Sequence, residues 1–153
     1  MKYCLDTGAL IEHWVRHYPP DVFNSLWDKL NQIVRDGTLR APFEVRRELE
    51  RQSDDLFQWV CDADQLFEDA DEEQLRRCKV IVNAYPDLVK PNSPKSQADP
   101  FVIALAEIRR VPVVTYETLA KQGAAPKIPN VCDARGARGV SFVDMLRAEG
   151  FKF

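Results

Sequence analysis

Apolar positions in this chain fall into short runs and helical stripes separated by turn-forming residues. Tyr3-Cys4-Leu5 is an apolar run that stops at Asp6-Thr7-Gly8, the pattern of a buried strand ending in a turn. Over 9–17, Leu10, Ile11, Trp14 and Val15 share one stripe and predict a helix, which Pro19-Pro20 ends. Asp21 is expected to cap a second helix that carries Val22, Phe23, Leu26, Leu30, Ile33 and Val34 and stops at Asp36-Gly37. Residues 39–42 predict a turn or a brief strand. Val45, Leu49, Leu56, Trp59 and Val60 then keep helical spacing, with a restart expected at Ser53-Asp54-Asp55. Leu66-Phe67 reads as another brief strand. A helix follows over 71–85, opening with Asp71, Glu72 and Glu73 at its positive end.

Pro, Lys and Ser over 87–97 predict an exposed loop. Asp99-Pro100 opens a helix that is apolar nearly all round from Phe101 to Ile108, so it is expected to be buried. The remainder predicts a strand over 111–115, mostly loop over 116–133, a strand at 140–142 and a helix over 144–149. Strands separated by helices predict βαβ units. The expected fold class is therefore α/β: one domain over 1–153, with a short, mostly parallel central sheet flanked by helices on both faces.

Composition adds bounds. A chain of 153 residues, 45% hydrophobic and 29% charged, can build one core without a disulfide or structural metal. The net charge of −3 argues against a protein that coats nucleic acid through a basic face. It is compatible with an acidic site that carries cations, since those invert the local charge. Cys4, Cys61, Cys78 and Cys132 show no C-x-x-C pair and no zinc-ligand spacing, and read as free thiols. No apolar run approaches the ~18 residues of a membrane span, and an acid at position 6 comes too early for a signal peptide. The expectation is a cytoplasmic protein off the membrane.

The chemistry lies in where the acids fall. In an open parallel sheet, sites form outside the carboxyl ends of the strands. Asp6 stands at the end of the first expected strand, Glu117 just beyond the strand at 111–115, and Asp99 at the start of the buried helix. Glu44 and Glu48 follow the segment at 39–42. Converging carboxylates repel one another and have raised pKa values unless a cation compensates. Mg²⁺ takes oxygen ligands, and such a site activates water against a phosphodiester. No G-x-S-x-G, Gly-rich phosphate loop or paired Cys/His competes with this set.

These residues resemble a family. Residues 3–11, YCLDTGALI, are similar to the opening strand and turn of PIN-domain ribonucleases, where an Asp-Thr-small-x-Leu/Ile segment carries the first metal ligand. Glu48-Leu49 resembles the second acidic position of that family. Residues 98–106, ADPFVIALA, resemble the third, and 113–117, VVTYE, the fourth. The four match in order and span most of the chain. The resemblance implies a PIN-like fold and endoribonuclease activity dependent on Mg²⁺ or Mn²⁺. In that reading Asp6, Glu48, Asp99 and Glu117 are metal ligands and catalytic residues, with Thr7, Thr115 and Glu44 supporting them. It further implies the role of a VapC-like toxin of a toxin–antitoxin pair, with an RNA substrate, a cognate antitoxin and a possible homodimer. The tail from Lys127 to Phe153 resembles a less characterised PIN-like branch. The chain departs from the pattern in carrying Glu117 where many relatives have Asp or Asn, and in a longer segment over 116–133.

Plainer readings stand beside these. Asp6 is placed to cap the next helix, a role compatible with metal ligation. Asp99 followed by Pro100 is an ordinary helix start. Glu48 has the setting of a solvated acid among arginines, and Glu44 stacked one turn before it costs only about 0.2–0.5 kcal/mol. Threonines at strand ends need no function. His13 and His17 lack an H-E-x-x-H context and read as a surface or partly packed pair. Arg109, Arg110, Lys90, Lys95, Lys121 and Lys127 are candidates for RNA phosphates or simply surface charges. Two further functions stay open: a catalytically silent PIN-like module that binds RNA or protein, and a phosphatase with Asp6 as nucleophile. The second lacks its partner acid, because position 8 is Gly.

Overall fold

The computed structural model describes every residue except Ser53, Pro94 and Lys95, and only the backbone of Asp54. The expected restart at Ser53 and the loop cation Lys95 thus lie outside the described residues. Among those described, five strands form one parallel sheet: β1 (Tyr3–Leu5), β2 (Leu39–Pro42), β3 (Phe67–Glu68), β4 (Val113–Val114) and β5 (Gly139–Val140). Their order is β3-β2-β1-β4-β5. The chain therefore steps outward from β1 to one side, then returns to β1's other flank for β4. That reversal makes the gap between β1 and β4 the topological switch point, where open α/β sheets place their sites. Register fixes the detail. Leu5 lies opposite Val114, so Asp6 and Thr115 emerge side by side, and the Asp6 N–H still donates to Val114 O at 3.0 Å.

The helices are α1 (Thr7–Glu12), α2 (Asn24–Arg35), α3 (Phe43–Leu49), α4 (Asp54–Asp62), α5 (Glu72–Ala84), α6 (Asp99–Arg109), α7 (Ile128–Ala134) and α8 (Phe142–Ala148). The near-continuous apolar surface of α6 has a clear cause: it is sandwiched, touching β1, β2 and β4 on one side and α5 on the other. Val102, Ile103, Ala104, Leu105 and Ala106 are all buried there, and each larger aliphatic among them contributes about 1.5–3 kcal/mol on burial. A second cluster joins Trp14, Trp27 and Trp59, with ring centroids 4.6–5.8 Å apart. The α/β class, the parallel sheet and the flanking helices agree with the sequence-based expectation. Among the described residues, no helix is long and apolar enough to cross a membrane.

Several boundaries differ from the pattern-based reading. The first helix starts at Thr7, and its last turn widens into a π-helical segment, His13–His17. This segment carries His13 inward, 4.3 Å from the Phe142 ring centroid. Asp21 caps nothing: a turn in which Val22 and Phe23 N–H donate to Pro19 O delays α2 to Asn24. Ser141 leaves the expected last strand, because its hydroxyl accepts from Asp144 N at 3.1 Å and caps α8. The largest difference is α7, within a segment expected to be mostly loop.

Candidate functional site

Asp6 occupies the N-cap position of α1, where its carboxylate lies near the Gly8 N–H without completing a capping hydrogen bond of normal geometry. It accepts instead from Thr115 Oγ1 across the switch point, at 3.1 Å. Only 3% of Asp6 is exposed. Burial foremost, then the Glu117 charge, push its pKa up to about 7, while the Thr115 hydroxyl and the Gly8 N–H pull the other way and Glu48 adds to the rise. Gly8 leaves room for this carboxylate, since a Cβ there would stand only 3.2 Å from Asp6 Oδ2.

Asp99 does not cap α6 either. Ala98 takes the cap position, Asp99 is the first helical residue, and Pro100 follows where its missing N–H costs nothing. Asp99 is 7% exposed. Burial, followed by the charges of Asp6, Glu117 and Glu48, holds its carboxyl up at about 9. Glu48, on α3, is anchored through one oxygen: Ala98 N donates to its Oε1 at 3.0 Å. That bond ties the carboxylate to the residue just before Asp99, so Glu48 is no freely solvated helix acid.

Glu117 leaves β4 through a tight local arrangement. Its N–H donates to Thr115 Oγ1 at 3.1 Å, the same hydroxyl that reaches Asp6. Its Oε2 accepts from Ile128 N, the first residue of α7, at 2.9 Å. An acid at a helix N-terminus is favoured by the backbone dipole. Thr115 is therefore a positioning residue for two acids, and α7, unforeseen in the sequence, holds a third point of the frame.

The acids thus come from β1, α3, α6 and the β4–α7 connection and act on one another electrostatically at one rim. Among the described residues, no group of three or more His, Cys, Asp or Glu side chains is already drawn together as a metal cage. The donor chemistry nonetheless suits a hard divalent cation, being all oxygen with two buried carboxyls whose charged forms lack compensation. Thr7 Oγ1, next in the chain to Asp6, is buried without a hydrogen-bond partner.

Other candidates separate from this rim. The Glu44 charge, after burial, helps push the Cys78 thiol on α5 up to about 12. Glu44 is absent from the charges that raise Asp6 and Asp99. Arg109 pairs with Glu68 at 3.1 Å, and Arg110, left-handed at φ 56°, terminates α6. Both sit at the end of α6 opposite Asp99. Lys127 directly precedes the Ile128 N–H that Glu117 accepts, so the backbone ties it to the site.

Beside the acids opens a cleft of about 660 Å³, whose lining includes Thr115, Glu117, Tyr116, His13, His17 and Phe142. The helical four-residue spacing of His13 and His17 was visible in the sequence, but their distant partners Tyr116 and Phe142 were not. His13 is buried rather than superficial. Burial, then His17, lowers its pKa to about 4, against a smaller opposing effect of Glu12.

Fold and site together define an α/β domain with an acidic rim at its sheet's switch point. The chain belongs to the family described as Domain of unknown function (DUF4411), which it matches over residues 3–153, a span that includes all four acids. No curated protein matches it.

Proposed function

We propose that the protein is a metal-dependent endoribonuclease with PIN-like chemistry, in which Asp6, Glu48, Asp99 and Glu117 hold one or two Mg²⁺ or Mn²⁺ ions. The observation that carries this reading is that four acids from four separate segments lie within electrostatic reach of one another at the switch point, two of them raised by burial first and then by the others' charge. A divalent cation there supplies the Lewis acidity that activates water and offsets charge on the scissile phosphate. The chain's own residues hold the frame. Thr115 fixes Asp6, Ala98 N–H fixes Glu48, and Ile128 N–H fixes Glu117. Each of the two glutamates has its second oxygen outside that anchoring bond.

The biological role we assign is that of the toxin of a toxin–antitoxin pair. It rests on the motif resemblance, as does a homodimer. The cognate antitoxin would cover the acidic rim, an Arg being the side chain suited to carboxylates. The free cysteines, three of them buried, accord with a reducing cytoplasm.

The test is Mn²⁺-dependent cleavage of total cellular RNA with end mapping, for wild type, Asp6→Asn and Asp99→Asn. Wild type cuts, and both variants lose cleavage while keeping the wild-type circular dichroism spectrum. Wild-type rates in both variants would defeat the assignment. Calorimetry showing no Mg²⁺ or Mn²⁺ binding would favour the silent binding module, and a trapped aspartyl-phosphate on Asp6 the phosphatase.

A further inference from the structure

The cleft next to the acids has the wall chemistry of a base-binding site. Its volume, about 660 Å³, falls within the roughly 300–1,000 Å³ of small-ligand clefts. Tyr116 lines it and is 49% exposed, an aromatic ring left open beside the site. His17 backs Tyr116 with ring centroids 5.6 Å apart. His13 stacks on Tyr18 at 5.4 Å and meets Tyr116 edge-on at 6.2 Å. The cleft is continuous with the acids, because Thr115 and Glu117 belong to both. His13, 7% exposed, forms part of the wall and carries a buried Nδ1 with no hydrogen-bond partner, a polar atom that one ordered water would satisfy.

We propose that this cleft is a nucleobase subsite, in which the base of a single-stranded RNA nucleotide, adjoining the phosphate at the acids, stacks on Tyr116. The choice of occupant rests on the ribonuclease reading. Single-stranded RNA suits the cleft because its unpaired bases splay out and stack on aromatic and histidine rings. A duplex buries those faces and cannot enter. Stacking accepts any base, so the subsite selects strandedness before sequence.

The experiment titrates the full chain, with Ca²⁺ replacing Mn²⁺, against a single-stranded hexaribonucleotide carrying one 2-aminopurine, and measures Mn²⁺-dependent cleavage in parallel. Wild type binds and quenches the fluorophore. Tyr116→Ala weakens binding by roughly 5- to 150-fold, the loss of one base–aromatic stack, and abolishes quenching. Tyr116→Trp retains both. Tyr116 is half-exposed, and circular dichroism checks that each variant is folded. Equal affinity and quenching in Tyr116→Ala, or neither binding nor quenching in wild type, overturns the subsite. RNA cleavage with an unaffected Tyr116→Ala removes the subsite and keeps the ribonuclease. Quenching that depends on Tyr116 in a chain that cuts nothing keeps the subsite and removes the ribonuclease.

Discussion

Asp99 is held up at about 9, by burial first and then by the charges of Asp6, Glu117 and Glu48, and Asp6 is raised to about 7. Without a cation, Asp99 therefore keeps its proton at neutral pH, whereas in the unfolded chain it ionises near 3.9. The folded state binds more protons than the unfolded one over that interval, so stability falls as pH rises, by about 1.4 kcal/mol per pH unit for each such carboxyl. The loss from Asp6 ends near its folded pKa of about 7 and that from Asp99 near about 9. His13 acts with the opposite sign but only below its unfolded pKa of about 6.5. The clean window is therefore about pH 7 to 8, above the titration of His13 and below that of the unfolded thiols, whose buried counterparts Cys4, Cys78 and Cys132 are all raised. Urea unfolding in EDTA is expected to give a midpoint that drops between about pH 7 and pH 8 in wild type and drops much less in Asp99→Asn. A wild-type midpoint that is flat or rises over that window contradicts the buried, uncompensated carboxyl. Position alone made these two acids legible in the sequence, as one ends an apolar run and the other opens a buried helix. That neither one caps its helix was not legible, because capping depends on side-chain direction and on Thr115, which lies 109 residues from Asp6.

At the scale of elements, Glu117 and α7 depend on each other. The Glu117 carboxylate accepts the first N–H of α7, and Asn130 Oδ1 accepts from Lys127 N and Ala120 N, closing the connection from β4. Two substitutions separate the structural role from the metal role. Glu117→Ala removes both, lowering stability by about 0.5–2 kcal/mol, as for a lost helix cap, and reducing Mn²⁺ affinity. Glu117→Gln keeps an amide oxygen for the Ile128 N–H and loses the charge, so its urea midpoint stays near wild type while Mn²⁺ binding by calorimetry weakens. Full Mn²⁺ affinity in Glu117→Gln would remove Glu117 from the ligand set. The sequence hid α7 because Pro126 and Pro129 read as loop punctuation. Pro129 in fact lies in the first turn of α7, where the helix has no use for its N–H. The π-helical turn at His13–His17 was hidden for another reason, since a 3.6-residue apolar period does not register one wider turn. The stripe of α6 is legible in the sequence, because burial on two sides leaves an all-round apolar signature.

For the whole molecule, the strand order does the assembling. β1 and β4 are far apart in sequence and adjacent in the sheet. Only that pairing sets Asp6 beside Thr115 and Glu117, while α6 brings Asp99 to the same edge and α3 brings Glu48. Alternating strands and helices predict a parallel sheet but do not order its strands, so motif order alone carries the expectation that the acids converge, and the β1–β4 pairing is what sets Asp6 beside Thr115. The cleft shows the same limit, since His13, Tyr116 and Phe142 meet only once β4, β5 and the π-helical turn are in place. On the proposed reading, a site built from so many elements links cation binding to global stability, because the unfolded chain cannot assemble the acids. At a free Mn²⁺ concentration 100 times Kd, binding adds about 2.7 kcal/mol. For a domain of this size each kcal/mol moves Tm by about 2–4 °C, so the expected rise is roughly 5–10 °C. Differential scanning calorimetry of wild type with and without Mn²⁺ measures it. Asp6→Asn and Asp99→Asn are expected to show little of the rise, because each removes a ligand charge from the rim. An equal rise in wild type and both variants would mean that Mn²⁺ binds elsewhere, and the acids at the switch point would then need another account.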